Sequence, residues 1–133
     1  MSQENVDAMR RGLEAWRRGD VKTFGALMDE FIAPEFEIEP LYFDGSYRGH
    51  EGLWQLWSDL EGVWDEYRLE IGELLDLGDH VLATSRVTGR GRGSGVPVAQ
   101  RMWILWTFAG RRVVRAKSFA SKAEALEAAG PRE

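Results

Sequence analysis

The chain of 133 residues contains no cysteine, which excludes disulfides, thiol nucleophiles and cysteine-ligated metals. It has two histidines, His50 and His80, thirty residues apart in the sequence, too few and too separated for a histidine-based metal motif. Long apolar runs are missing too. None approaches the roughly 18 residues that a membrane-spanning helix needs. The start, Met1-Ser2-Gln3-Glu4-Asn5, is polar and lacks a signal-peptide core, so the expectation is a cytoplasmic protein without membrane contact. Positive charge is in deficit: 17 Lys and Arg against 22 Asp and Glu give a net charge of −5, which argues against nucleic acid as a partner. Phosphate-loop, dinucleotide and nucleophile-elbow patterns are absent, and no cofactor is expected.

What is present is aromatic. Six tryptophans are a high count for this length, and they point to an aromatic core, a cavity lining or an interface. The length suits one domain, taken as residues 1–133, with no linker or repeat.

Periodicity places the elements. Val6, Met9, Leu13 and Trp16 recur at helical spacing over 4–18, with Ser2 as N-cap. Gly19 stops that helix and Asp20 caps the next, whose stripe is Val21, Phe24, Leu27, Met28 and Phe31. Pro34 is read as its end. Phe36 and Ile38 then alternate with Glu35, Glu37 and Glu39, as in a strand that is at an edge or ends at Pro40. A third helix is predicted from about His50 to Gly62, with Leu53, Leu56, Trp57 and Leu60 as its apolar face. Strands follow at 67–77, 80–90, 96–108 and 113–119, and Ser121 to Glu124 forms a capping box for a last short helix stopped by Gly130-Pro131. Helices before a run of strands mean α+β: a curved antiparallel sheet with three helices on its concave face.

Several motifs carry a family resemblance. They are Trp16-Arg17-Arg18-Gly19-Asp20, Tyr47-Arg48-Gly49-His50-Glu51-Gly52 and Leu77-Gly78-Asp79-His80-Val81, followed by the Gly89–Gly95 stretch and Glu124 to Gly130. In this order and spacing the chain resembles the nuclear transport factor 2-like superfamily, in particular its bacterial SnoaL-like branch. The resemblance implies a cone-shaped α+β barrel with a pocket between helices and sheet, often dimeric. It covers isomerases, cyclases, dehydratases and noncatalytic members, so fold leaves function open.

The steroid isomerases of that superfamily use a carboxylate directly before a proline as general base, and Glu39-Pro40 resembles that pair. An apolar pocket would raise the pKa of such a carboxylate and suit it to proton transfer. The competing reading is that alternation sends Glu39 to the face opposite Phe36 and Ile38 unless a bulge intervenes. The isomerases' oxyanion partners have no counterpart here: the first helix has no tyrosine and Met102-Trp103-Ile104 has no carboxylate. His50, at a helix start, is the other acid–base candidate; a solvent-facing histidine is its competing reading.

Tyr42, Trp54, Trp57 and Trp106 are expected to converge on one cavity for a small apolar or cyclic molecule, with plain core packing as the alternative for each tryptophan. Arg86, mid-strand, is a candidate partner for a ligand or a glutamate. A homodimer is expected through the face bearing Arg101, Trp103, Leu105 and Thr107, joined by Val113, Arg115, Lys117 and Phe119. The functional expectations are therefore a cofactor-independent isomerase, cyclase or hydratase, or a noncatalytic ligand-binding or interaction domain.

Overall fold

The computed structural model describes residues 3–41 and 43–130. Readings that fall on Ser2, Tyr42 and Pro131 lie outside the described residues.

Helix α1, Gln3–Arg18, buries Val6, Ala8, Met9, Leu13 and Ala15 on one stripe. Glu4 in its first turn and Arg17 and Arg18 in its last complement the helix dipole. Gly19, at φ 68°, ends it in a left-handed turn. The Gly19 and Asp20 amides donate to the Trp16 and Ala15 carbonyls, which satisfies the last turn. Asp20 then caps α2, Val21–Phe31, by accepting the Thr23 amide, and that backbone hydrogen bond holds its carboxyl below the usual range.

Helix α2 gives way to strand earlier than Pro34 suggests. Strand β1 runs Ile32–Glu39 and begins directly at the helix end. Pro34 sits inside it, where the pairing with a neighbouring strand shifts register between Ile32 and Glu37. A proline fits such an irregularity because no ladder amide is demanded of it. The two-residue strand β2, Tyr47–Arg48, pairs with β1 and leads into helix α3, Gly49–Val63.

The motif at that junction has a steric basis. Gly49 adopts φ 68°, and a Cβ there would meet the Pro34 carbonyl oxygen at 3.3 Å. At Gly52 a Cβ would lie 2.9 Å from the Tyr47 carbonyl carbon, so glycine lets α3 lie against β2. The Tyr47 hydroxyl reaches forward along α3 and donates to Asp59 at 2.5 Å.

Strands β3 (Trp64–Asp76), β4 (His80–Gly91), β5 (Pro97–Ala109) and β6 (Arg112–Phe119) form a meander. The six strands are ordered β2-β1-β6-β5-β4-β3 in a sheet that does not close. All neighbours are antiparallel except β1 and β6, which run parallel, so the sheet is mixed. Register shifts in β3 at 65/68 and 71/74 bend its edge, and Glu66 takes φ 57° at the first.

Helices α1, α2 and α3 pack on one face of the sheet and enclose the main core. Asn5, 2% exposed, donates from its amide to the Gly110 carbonyl and ties the start of α1 to the β5–β6 turn. On the other face, helix α4, Lys122–Ala129, is capped by Ser121 and covers a smaller cluster of Leu82, Leu105 and Ala125. This alters the expected outer patch. Leu105 is buried beneath α4, and Val113 belongs to the main core because β5 and β6 slip register after Thr107. Trp103 and Phe119 are half-buried, with Arg101 and Lys117 placed over their rings at 5.3 and 5.5 Å. Among the described residues no helix is long and apolar enough to cross a membrane.

The Tyr47–Asp59 bond sets a pH signature. Burial, and then the Asp59 contact, push the Tyr47 hydroxyl up to about 12. Hydrogen bonds from Tyr47 and then Gln55 hold Asp59 below its usual 3.8. The Asp59 contribution is thus present above pH 3.8 and lost as pH falls through its lowered value; the Tyr47 contribution is complete below pH 10 and lost as pH rises toward 12. Tyr47→Phe should lower the urea midpoint at pH 7, with the gap to wild type narrowing at both extremes. A pH-independent gap across a urea–pH series would mean that packing, not this bond, is what the hydroxyl provides.

Candidate functional site

Between the three helices and the sheet lies a cavity of about 110 Å³. Helix α1 contributes Ala8, Met9, Gly12, Leu13 and Trp16; these fall on one face because they recur at three- and four-residue steps. From α2 come Leu27, Met28 and Phe31, and from α3 Leu53, Leu56 and Leu60. The sheet wall is Ile38 of β1, Tyr67 and Leu69 of β3, Met102, Ile104, Trp106 and Phe108 of β5, and Val113 and Ser118 of β6. The loop residues Pro40, Leu41 and Phe43 complete it.

Among the described residues, no lining residue carries a formal charge at neutral pH. The polar side-chain atoms of the lining are the hydroxyls of Tyr67 and Ser118 and the indole nitrogens of Trp16 and Trp106. A charge placed in such a space would lose its hydration without a partner. An engineered cavity of about 150 Å³ with aliphatic and aromatic walls takes up benzene, so the scale here is that of one ring.

Trp106 lines the cavity. Glu39 lies outside it. Phe36 and Ile38 are buried inward, and the Glu39 carboxylate sits on the other side of β1, 3.7 Å from Arg115 and 3.8 Å from Lys117 on β6. The register shift in β1 falls between Ile32 and Glu37, before the glutamate, so alternation holds through Glu39. Its neighbour Glu37 accepts from the Ser46 hydroxyl at 2.6 Å, and that bond, with Arg48 and Arg115 nearby, holds its carboxyl below the usual range.

His50 also lies away from the cavity lining. Its Nε2 is 2.8 Å from the Ile32 carbonyl, an acceptor, so this nitrogen carries the proton and donates. Its Nδ1 is 3.7 Å from Asp29. The ring thereby joins the end of α2 to the start of α3. Trp54 and Trp57 pack with Trp16 and Phe24 in a cluster among the helices: Trp16 and Trp57 are centred 4.6 Å apart, and Phe24 and Trp54 5.7 Å. Trp57 borders an outer groove with Arg17, Arg18, Trp64 and Arg92 rather than the cavity. Arg86 is exposed and borders a shallow depression with Glu70 and Arg101 on neighbouring strands.

Gly12 and Ser118 enter the lining without having been selected from sequence. Gly12 had a signal, since it is four residues from both Ala8 and Trp16 on the apolar face of α1. Ser118 had one as well: it opposes Ile104 across the β5–β6 ladder and so shares its face.

Three helices on one face of an open, mixed six-stranded sheet give the α+β architecture of the NTF2-like class. The chain belongs to the SnoaL-like domain family, whose model matches residues 9–116. An NTF2-like protein from Burkholderia thailandensis is 24% identical, with 98% of this chain and 100% of that chain covered and a TM-score of 0.78. An NTF2-like protein of unknown function from Burkholderia pseudomallei is 19% identical at 98% and 100% coverage, TM-score 0.76. TerC, crystallised with polyporic acid, is 16% identical at 97% and 100% coverage, TM-score 0.75. At these identities the likeness is one of fold. No curated protein matches the chain.

The half-exposed position of Glu39, away from the cavity, yields a direct expectation. Glu39→Gln removes two long, solvent-screened ion pairs and should cost less than about 1 kcal/mol in urea unfolding. A loss several times larger would mean that the carboxylate is held in a buried environment.

Proposed function

We propose that this SnoaL-like protein binds a small, uncharged, ring-containing molecule in the cavity between helices and sheet, as a noncatalytic binding domain. The observation that carries this reading is the composition of the lining: among the described residues it is apolar, with a few hydroxyl and indole groups and no carboxylate, lysine, arginine or histidine. Apolar area removed from water contributes roughly 25 cal/mol per Å², so a ring transferred into this space gains affinity mainly by burial. The acid–base alternative through Glu39 has less support, because the carboxylate is paired with Arg115 and Lys117 away from the cavity. That a relative of the same fold, TerC, was crystallised with polyporic acid fits a small-molecule role for the fold.

Gly12 offers the cleanest test. Gly12 lines the cavity, and a Cβ there meets nothing within 4 Å outside its own helix, so a larger side chain has open space. Replacing a mid-helix glycine also favours the helix by about 0.5–1 kcal/mol. Gly12→Leu should therefore fold at least as stably as wild type while its side chain occupies the ligand space. With α-methylstyrene as probe, titration calorimetry should give a Kd below about 1 mM for wild type. The variant should bind at least tenfold more weakly. Absence of binding to wild type, or equal binding to both proteins, would remove the reading.

A further inference from the structure

One stretch of wall is common to the cavity and the outer groove. Trp16 of α1, Leu60 of α3 and Tyr67 and Leu69 of β3 line both spaces. Leu60 and Leu69 are buried, whereas Trp16 and Tyr67 are half-buried and so reach from the cavity toward solvent. Trp16 is wedged among rings, centred 5.2 Å from Phe24 and 4.6 Å from Trp57. Tyr67 stands on an edge strand, since β3 ends the sheet beside β4. The backbone there is irregular. The ladder shifts register between Asp65 and Arg68, and Glu66 is the one non-glycine at positive φ among the described residues. Such a conformation costs energy and persists only where its surroundings hold it. Two residues of the Gly89–Gly95 stretch do so. Gly89 seats the bulge: a Cβ there would lie 3.2 Å from the Asp65 carbonyl oxygen and 3.5 Å from the Tyr67 Cα. Arg92 clasps the segment before it. Its amide donates to the Val63 carbonyl at 2.9 Å, and its guanidinium donates to the Glu61 and Trp64 carbonyls at 2.7 and 3.2 Å. The same guanidinium pairs with Asp65 at 2.8 Å.

We propose that the Glu66–Tyr67 bulge is the gate of the cavity. The ligand arrives through the outer groove when the Tyr67 segment moves aside, and Arg92 is the positioning residue that holds this segment shut. This rests on the binding reading above and names the route to that site. A bulged edge strand opens at lower cost than a strand bonded on both sides, because fewer ladder bonds hold it. The cavity residues of β5 and β6 stand on strands with a neighbour on each side, so the sheet wall is least restrained at Tyr67. A second route competes with this one. Leu41 and Ser118 are common to the cavity and a depression beside α4. No positive φ occurs at either residue, and Ser118 lies on the doubly paired β6.

NMR line shapes across a titration with α-methylstyrene give kon and koff separately. Tyr67→Ala removes the side chain of the gate. Lost wall contacts alone would appear in koff, whereas an opened gate should raise kon by about fivefold or more. Arg92→Ala leaves the cavity lining intact and loosens the clasp. Both of its rate constants should rise about threefold, with Kd within about twofold of wild type. That variant keeps the proposal testable if Tyr67→Ala folds poorly. Leu41→Ala thins the competing route and should leave kon unchanged. Unchanged kon in both Tyr67→Ala and Arg92→Ala, or a rise in Leu41→Ala alone, overturns the gate while leaving the cavity reading intact. Failure of wild type to bind α-methylstyrene overturns both.

Discussion

The side-chain alternation of β1 is the constraint on which the rest depends. Phe36 and Ile38 point toward the helices, so Glu37 and Glu39 must point away. The parallel pairing with β6 fixes this choice, since it aligns Glu37 with Arg115 and Glu39 with Lys117. A slip of one residue would bury two carboxylates in the main core and expose two large apolar side chains. The ion pairs are individually weak because they are exposed. The burial of Phe36 and Ile38, at 0% and 5% exposure, is what makes the register costly to change. From that register follow an uncharged cavity wall and a charged outer strip along β1 and β6.

The second face of the sheet shows how a small α+β domain handles an apolar surface that it cannot place in one core. Helix α4 seals Leu82 and Leu105 with Ala125, while Arg101 and Lys117 lie over the rings of Trp103 and Phe119. Among the described residues, the exposed large hydrophobics are Val21, Val63, Val96 and Leu126, and they lie on separate elements. The cavity, by contrast, is apolar space the fold retains. Gly12 and Ala8 on α1 are small where larger residues would narrow it.

Much of the architecture was legible because it is written in local signals. The α1 stripe, the Gly19-Asp20 turn, the Gly78 and Gly110 turns and the Ser121 cap each act within a few residues, and each is found where its chemistry predicts. The α2–β1 boundary was not legible. Pro34 is an ordinary helix stop, yet the chain becomes extended at Ile32, and the proline occupies a sheet irregularity visible only once β6 is alongside. The inward position of Val113 has a related cause: the slip after Thr107 resets the alternation of β6. The site was less legible still. Resemblance pointed to Glu39, whereas plain alternation already placed it on the outer face. His50 and Trp54 answer to tertiary partners, the Ile32 carbonyl and the ring of Phe24, that have no trace in local sequence. Trp106 could be picked as a wall residue from the spacing of Met102, Ile104 and Phe108.

An apolar space lies on one side of β1 and the carboxylates of Glu37 and Glu39 on the other. A crystal structure of xenon-pressurised protein tests both halves at once, since xenon enters empty apolar cavities and avoids hydrated ones. The expected result is xenon density enclosed by Leu13, Met28, Met102 and Trp106, with the Glu39 carboxylate near Arg115 and Lys117. Ordered water in that space with Glu39 turned toward it, or side chains closed over it without xenon, would contradict the account.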